Sequence, residues 1–419
     1  MIDILNQRVK MSPEKQFIQY DNQYISYNQF NNIVNNVSSA IKLADLKNHY
    51  IGLQIIDKLK LLVVIVAMNR HNKIPILYPD YPNIQDYLKN TNIPIAFKDD
   101  DIAIDTSNSN GDTKKKYDPD ATQVVVFTSG TTGLPKACRL TYQNIYQSAL
   151  QWNKILKFND DDIYLNHMPI IHVSGLCIFF RALYYDFKMM LTDFNVNNYF
   201  NYIKDNRITL VSMVPGMLKK ATNDTSVSNI SNNLKAMIIS GSEINPEHFD
   251  IITKYQIPAY IAYGMSETAS GVAGFWYNYN QKKRYVPHDN INIKLYGSKI
   301  MITSDTVMKG YFNEQNLKKT FISSDIGKIY SNQSFKIKKR EGSISNYGGE
   351  FISQEYIKNH IEQYAGVVQC TLKVIKDNHW GEVLHAYVKL NQSIDSDSLL
   401  NKLKKNLPRH MVPKRIILQ

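Results

Sequence analysis

The sequence predicts an α/β protein: a large N-terminal domain of helix-covered β-sheets, followed by a small α+β domain. Three observations carry this. Short β-branched runs, Ile208 to Val214, Ala236 to Ile239 and Ile257 to Ala262, alternate with helical patterns out to about Tyr330, as parallel strands joined by helices would. The run Val124-Val125-Val126-Phe127 is apolar on both faces, as a fully buried strand must be. From about Gly342 the pattern changes to helix (Ser353 to Tyr364), two strands (Cys370 to Ile375, His385 to Leu390) and helix (Ser396 to Lys405).

The elements follow in order. Tyr24-Ile25-Ser26-Tyr27 reads as a strand ending at an N-cap, Ser26, with an amphipathic helix running on through Leu43. Leu61 to Met68 is the longest apolar run and reads as a buried helix, too short to span a bilayer. Asp105 to Asp120, rich in Ser, Asn, Asp and Lys, is a surface loop. Thr141 is the expected N-cap of a helix reaching about Leu156. Arg415-Ile416-Ile417-Leu418 is a final strand. The expected division is 1–339 for the large domain and 340–419 for the small one.

The chain has 419 residues, 43% of them hydrophobic and 21% charged, an ordinary globular composition with enough apolar content for more than one core. Its net charge of +12 fits an anionic partner such as ATP, CoA or a membrane surface touched weakly at the periphery. The codon usage of an AT-rich genome is the favoured explanation, given the abundance of Asn, Lys, Ile and Tyr. The lysines are scattered, and no nucleic-acid-binding motif accompanies them. Cys138, Cys177 and Cys370 lie far apart, without the paired spacing of a zinc or redox site, so a cytoplasmic location is expected. The N-terminus lacks a basic-then-apolar leader pattern.

The most informative stretch is Phe127-Thr128-Ser129-Gly130-Thr131-Thr132-Gly133-Leu134-Pro135-Lys136. A buried strand enters a loop of two glycines and four hydroxyl residues that ends near a lysine. Glycines let backbone N–H groups turn inward, hydroxyls add donors and the lysine adds a point charge, so such a loop can wrap the phosphates of a nucleotide. It is not the GxxxxGK[ST] loop: Pro135 stands where the second glycine would be, and Ala137 follows the lysine.

This loop resembles the signature of the adenylate-forming superfamily, which contains acyl-CoA synthetases, luciferases and peptide-synthetase adenylation domains. Further stretches match in the family's order, from Tyr24 to Lys414. Met168-Pro169-Ile170-Ile171-His172-Val173-Ser174-Gly175 resembles the segment lining the carboxylic-acid pocket; the resemblance puts His172 beside the substrate carboxylate and Gly175 in the pocket. No Asp occurs from Tyr164 to Gly175, which weighs against an amino-acid substrate. Ser240-Gly241-Ser242 resembles the small-residue turn on which adenine stacks. Tyr263-Gly264-Met265-Ser266-Glu267-Thr268 is similar to the family's Y-G-x-T-E. By that likeness Tyr263 and Gly264 bind nucleotide, Ser266 donates to the α-phosphate and Glu267 holds Mg2+ as pyrophosphate leaves. Asp325 and Arg340 match the ribose-binding acid and arginine, although Ser324 and Ser343 replace the usual glycine and hinge residue.

Met213, Val214, Phe179 and Phe180 are expected near the acyl pocket. The run from Met168 to Leu183, with Gly264 to Ser270, looks most like o-succinylbenzoate–CoA ligases of menaquinone synthesis; a fatty acyl-CoA ligase is the other reading. The resemblance therefore implies an acid–thiol ligase using ATP, Mg2+ and CoA, with a carboxylic acid as substrate. The family's catalytic-lysine loop would begin just past Gln419, so the chain is expected to be cut short of it. The alternatives are an adenylate-binding protein without turnover, or an adenylation enzyme that loads a carrier protein.

Overall fold

The computed structural model describes residues 3–43, 46–107, 116–128, 134–222, 233–280, 283–340, 344–347, 350–377, 381–392 and 395–419. Two sheets dominate the N-terminal part. A six-stranded sheet runs in the order Gly310–Tyr311, Lys136–Thr141, Thr122–Thr128, Ile74–Leu77, Tyr50–Gln54, Ile95–Lys98. Its inner strands are parallel, and the two that start at Gly310 and Lys136 are antiparallel additions. A nine-stranded sheet is parallel from Gln16–Tyr20 through Lys188–Leu191, Ile163–Asn166, Leu210–Met213 and Ala236–Ile239 to Ala259–Met265.

One hydrophobic core joins the two sheets. Val124, Val126 and Leu140 of the first and Phe17, Tyr164 and Ile238 of the second enclose the same helices, Tyr27–Leu43, Lys58–Arg70, Tyr142–Leu156 and Val173–Tyr185. Val125 and Phe127 point the other way, into a separate cluster with Tyr87 of the helix Ile84–Thr91. This explains why Val124 to Phe127 is apolar at every position: each face meets a packed layer. Lys58–Arg70 is buried on all sides from Leu61 onward, and Asp57 caps it by accepting from the Lys60 amide at 2.8 Å.

The expected caps form. Ser26 Oγ accepts from the Gln29 amide at 3.2 Å while Gln29 Oε1 accepts from the Ser26 amide at 2.8 Å, a reciprocal pair. Thr141 does the same with Asn144.

The structure departs from the expected alternation between Ala259 and Arg340, where the described residues contain no α-helix. Instead, Asn292–Tyr296, Lys299–Thr303, Thr320–Ile329 and Phe335–Arg340 make an antiparallel four-stranded sheet. The reason is visible in Lys299-Ile300-Met301-Ile302-Thr303: apolar residues that are buried alternate with half-buried ones, the period of a one-sided sheet.

Beyond residue 353, helices Gln354–Glu362 and Ser396–Asn406 pack on a three-stranded sheet, Val367–Asp377, Gly381–Leu390 and Arg415–Leu418. Ile357, Ile361, Leu384, Val388, Leu399 and Leu403 form their own core. This unit touches the N-terminal part where the Tyr356 hydroxyl meets Asp86 and accepts from Asn83 at 3.0 Å. The His410 ring also lies 5.7 Å from Tyr81.

Candidate active site

Val214, Ser240 to Ser242 and Ser266-Glu267 follow the C-terminal ends of three neighbouring parallel strands, where open α/β sheets bind ligands. The turn after Ala236–Ile239 depends on Gly241, whose φ is +87° and whose Cβ, if it had one, would sit 3.1 Å from Val214. Ser240 donates its amide to Met213 O at 3.2 Å. Small residues here leave backbone open to a flat ring.

The turn after Ala259–Met265 is equally tight. A Cβ on Gly264 would lie 2.1 Å from Ser270 O, and the strand pairing is irregular at Tyr263/Gly264. The chain then makes a short 3-10 turn, Ser266–Thr268. Thr268 stitches this turn through the Met265 amide, Met265 O and Ser270 O. Glu267 is only 5% exposed. Its Oε1 accepts from the Tyr311 hydroxyl at 2.8 Å, while Oε2 is buried with no partner among the described residues. Burial, then the neighbouring Glu267 charge, pushes the Tyr311 phenol far above its usual range. An orphaned carboxylate oxygen fits Mg2+, a hard cation that takes oxygen ligands.

The next group sits on paired strands. Asp325 stands opposite Arg340 in register. Its Oδ2 accepts from the Tyr263 hydroxyl at 2.7 Å, and Arg340 Nε lies 3.5 Å from Oδ1 and donates to Ser324 Oγ at 3.0 Å. Ser324, in the place of the usual glycine, thus holds the arginine. Burial first and the Asp325 charge second raise the Tyr263 phenol well above its normal value.

Of the phosphate loop, Ser129, Gly130, Thr131, Thr132 and Gly133 lie outside the described residues. Thr128 and Lys136 flank it, paired across the hairpin. The Lys136 ammonium stands 4.9 Å from the centre of the Tyr311 ring. Thr128 and His172 line one cleft together with Tyr81, Phe127, His410 and Met411. His172 is the residue preceding the helix Val173–Tyr185. That helix approaches Met168-Pro169 so closely that a Cβ on Gly175 would lie 2.4 Å from Pro169 O, and Asn166 Nδ2 donates to Gly175 O at 3.0 Å.

Three residues of the expected acyl pocket are buried side chains. Met213 is fully buried in the core under the nine-stranded sheet, among Val211, Met237 and Ile261; strand alternation gives the opposite face to Ser212, which bonds the Tyr164 hydroxyl. Phe179 packs against Phe17 and Phe30. Phe180 lines a different cavity near Asp3 and Tyr117.

Two residues escaped the sequence reading of the site. One is Tyr311. The other is Arg181, the single charged residue in the helix Val173–Tyr185 and only 3% exposed. It donates to Ser270 Oγ at 2.9 Å and lies 4.8 Å over the Trp152 ring. No carboxylate pairs with it among the described residues, its Nε is without a partner, and burial lowers its pKa. A lone charge in an apolar helix was the available signal.

Glycine turns at two strand ends, a paired acid and arginine, and a carboxylate and a lysine that meet the same tyrosine make up the candidate site. The chain belongs to the AMP-binding enzyme family, whose model matches residues 5–312. It is similar to the 2-succinylbenzoate–CoA ligase of Staphylococcus epidermidis, at 29% identity over 319 residues, 72% of this chain and 66% of that protein. The match thus spans just under two thirds of that relative's length. In fold it is similar to a double mutant of o-succinylbenzoate CoA synthetase from Bacillus subtilis bound with its product analogue, with TM-score 0.89, 20% identity, and 100% and 95% of the two chains covered. With the same synthetase in complex with its acyl-adenylate intermediate the TM-score is 0.73, at 19% identity, covering 100% and 94%. The adenylate-forming fold therefore extends over the whole chain.

Proposed function

We propose that the protein is an ATP-dependent acid–CoA ligase whose acid is an aryl dicarboxylate of the o-succinylbenzoate kind. The observation that carries the choice of acid is Arg181. A buried guanidinium with no acid partner among the described residues costs stability and is retained where a ligand supplies the missing charge. o-Succinylbenzoate has two carboxylates: one is activated, and the other is free to meet Arg181. A fatty acid offers no second charge. The named relative and the structural neighbours support this reading.

In the first half-reaction the substrate carboxylate attacks the α-phosphorus of ATP, the bond to the bridging oxygen breaks, and pyrophosphate leaves. Thr128, residues 129–133 and Lys136 hold the departing phosphates. Ser266 donates to the α-phosphate, Ser240-Gly241-Ser242 and Gly264 take the adenine, and Asp325 with Arg340 takes the ribose. Glu267 would hold Mg2+, which when bound neutralises charge developing on the phosphates. His172, Gly175 and Val214 border the reacting carboxylate. In the second half-reaction the CoA sulfur attacks the acyl carbon, AMP departs and the thiol proton is released. On this reading the thiol arrives where His172 and Thr128 meet His410 and Met411, between the two parts of the chain. Catalysis rests on positioning and charge stabilisation, with no protein nucleophile.

The reading divides the chain at residue 340, with the large domain carrying the nucleotide site. It places the enzyme in the cytoplasm, which suits three buried cysteines that are all free. No helix among the described residues is long and apolar enough to cross a membrane. The test is carboxylate-dependent pyrophosphate release with ATP and Mg2+ over aryl and fatty acids. Release with o-succinylbenzoate that is lost in Glu267→Ala supports the reading. ATP binding without release for any acid overturns it in favour of a non-catalytic adenylate binder.

A further inference from the structure

One side chain touches both the carboxylate and the lysine of this site. The Tyr311 hydroxyl donates to Glu267 Oε1 at 2.8 Å, and its ring lies 4.9 Å beneath the Lys136 ammonium. The backbone places it there. Gly310-Tyr311 pairs antiparallel with Arg139 and Cys138, in the strand that begins at Lys136. Gly310 has φ +144°, and a Cβ there would lie 2.7 Å from Gln315 O, so this edge strand enters through a conformation that favours glycine. Glu267 arrives from the other sheet, and its backbone carbonyl accepts the Met308 amide at 2.9 Å, from the segment that leads into Gly310-Tyr311.

The phenol engages one carboxylate oxygen only, and the second, Oε2, is buried without a partner among the described residues. A carboxylate tied at one oxygen cannot rotate freely, so its other oxygen keeps a fixed direction. Resting on the reading above, we infer that Tyr311 is a positioning residue: its hydroxyl fixes Glu267 so that Oε2 faces the metal, and its ring seats Lys136. Metal carboxylate and phosphate lysine are thereby set relative to each other by a side chain that touches no substrate. Partners of this kind, one bond out from a metal, set ligand direction and basicity.

The test compares wild type with Tyr311→Phe, which keeps the ring and removes only the donor. Mn2+ binding is read by paramagnetic resonance in the presence of α,β-methylene ATP, and folding by thermal melting. The expected result is Mn2+ affinity weakened about tenfold or more, with metal-free affinity for the analogue unchanged. Pyrophosphate release should need correspondingly more Mg2+. Tyr311→His, a ring with an N–H donor, should recover most of the loss. Adding Tyr311→Phe to Glu267→Gln should cost nothing further. Should Tyr311→Phe not fold, Tyr311→His against Tyr311→Leu makes the same comparison of donor with none.

Mn2+ affinity within about twofold of wild type, losses that add in the double variant, or no Mn2+–nucleotide binding by wild type would each overturn the inference. Mn2+ loss in Tyr311→Phe, together with no pyrophosphate release by wild type on any acid, would remove the acid-ligase reading and leave the positioning role standing.

Discussion

At the residue scale, the energetics of Arg181 and its proposed use pull in opposite directions. An unpaired buried charge is a cost to the folded state, so Arg181→Leu should stabilise the ligand-free protein, by about 1–4 kcal/mol, as replacing buried ions with apolar groups does. Thermal melting without substrate checks this; a lower melting temperature would mean that Arg181 is satisfied inside the protein and is not waiting for a ligand. Residues such as Glu267, Asp325 and Arg340 were expected in the site because each sits in a contiguous string. Tyr311 was not, because its partner Glu267 is remote in sequence and only the pairing of Gly310-Tyr311 with Arg139-Cys138 brings them together. A residue's position in a motif names its neighbourhood, whereas the phase of its strand or helix decides which neighbours it packs on, as for Met213, Phe179 and Phe180.

At the element scale, the site is shaped by turns that admit no side chain. Gly264→Ala would drive a methyl to 2.1 Å from Ser270 O, an overlap with backbone that no rotamer relieves. We expect a loss of roughly 3 kcal/mol in stability, together with weakened nucleotide binding, from denaturant unfolding and ATP titration. Gly297, with nothing within 4 Å of a Cβ, makes the comparison: its φ of +61° strains an added side chain, so Gly297→Ala should lower stability modestly and leave nucleotide binding intact. Helices and caps were legible wherever hydroxyl or amide side chains precede an apolar period, as at Ser26 and Thr141. The antiparallel sheet from Asn292 to Arg340 was not read, because Ile300-Met301-Ile302 is apolar at every position, like the short runs of a parallel sheet, and the alternation shows only in burial.

At the scale of the whole molecule, two buried histidines make the fold sensitive to acid. Burial lowers His288 to about 3, helped by Arg181, and His167 to about 4, helped by Lys58. Both lie below the unfolded value near 6.5, so the unfolded chain binds more protons and stability falls as pH drops through 6.5 toward those values. Each histidine removes about 1.4 kcal/mol per pH unit in that window, so melting at pH 5 should fall below melting at pH 7, and His288→Gln should flatten the dependence. The large architecture was legible because βα alternation and a change of pattern near Gly342 are long-range signals. How the small unit seats, through Tyr356 on Asp86 and His410 on Tyr81, depends on tertiary contacts that no local pattern encodes.

The most direct measurement of the central claim is kcat/KM for o-succinylbenzoate and for a fatty acid, in wild type and in Arg181→Leu. The account predicts that wild type prefers the dicarboxylate and that Arg181→Leu loses about 30-fold or more on it, the cost of truncating one partner of a buried charge pair, with little change on the fatty acid. Equal losses on both acids, or a wild-type preference for the fatty acid, would contradict it.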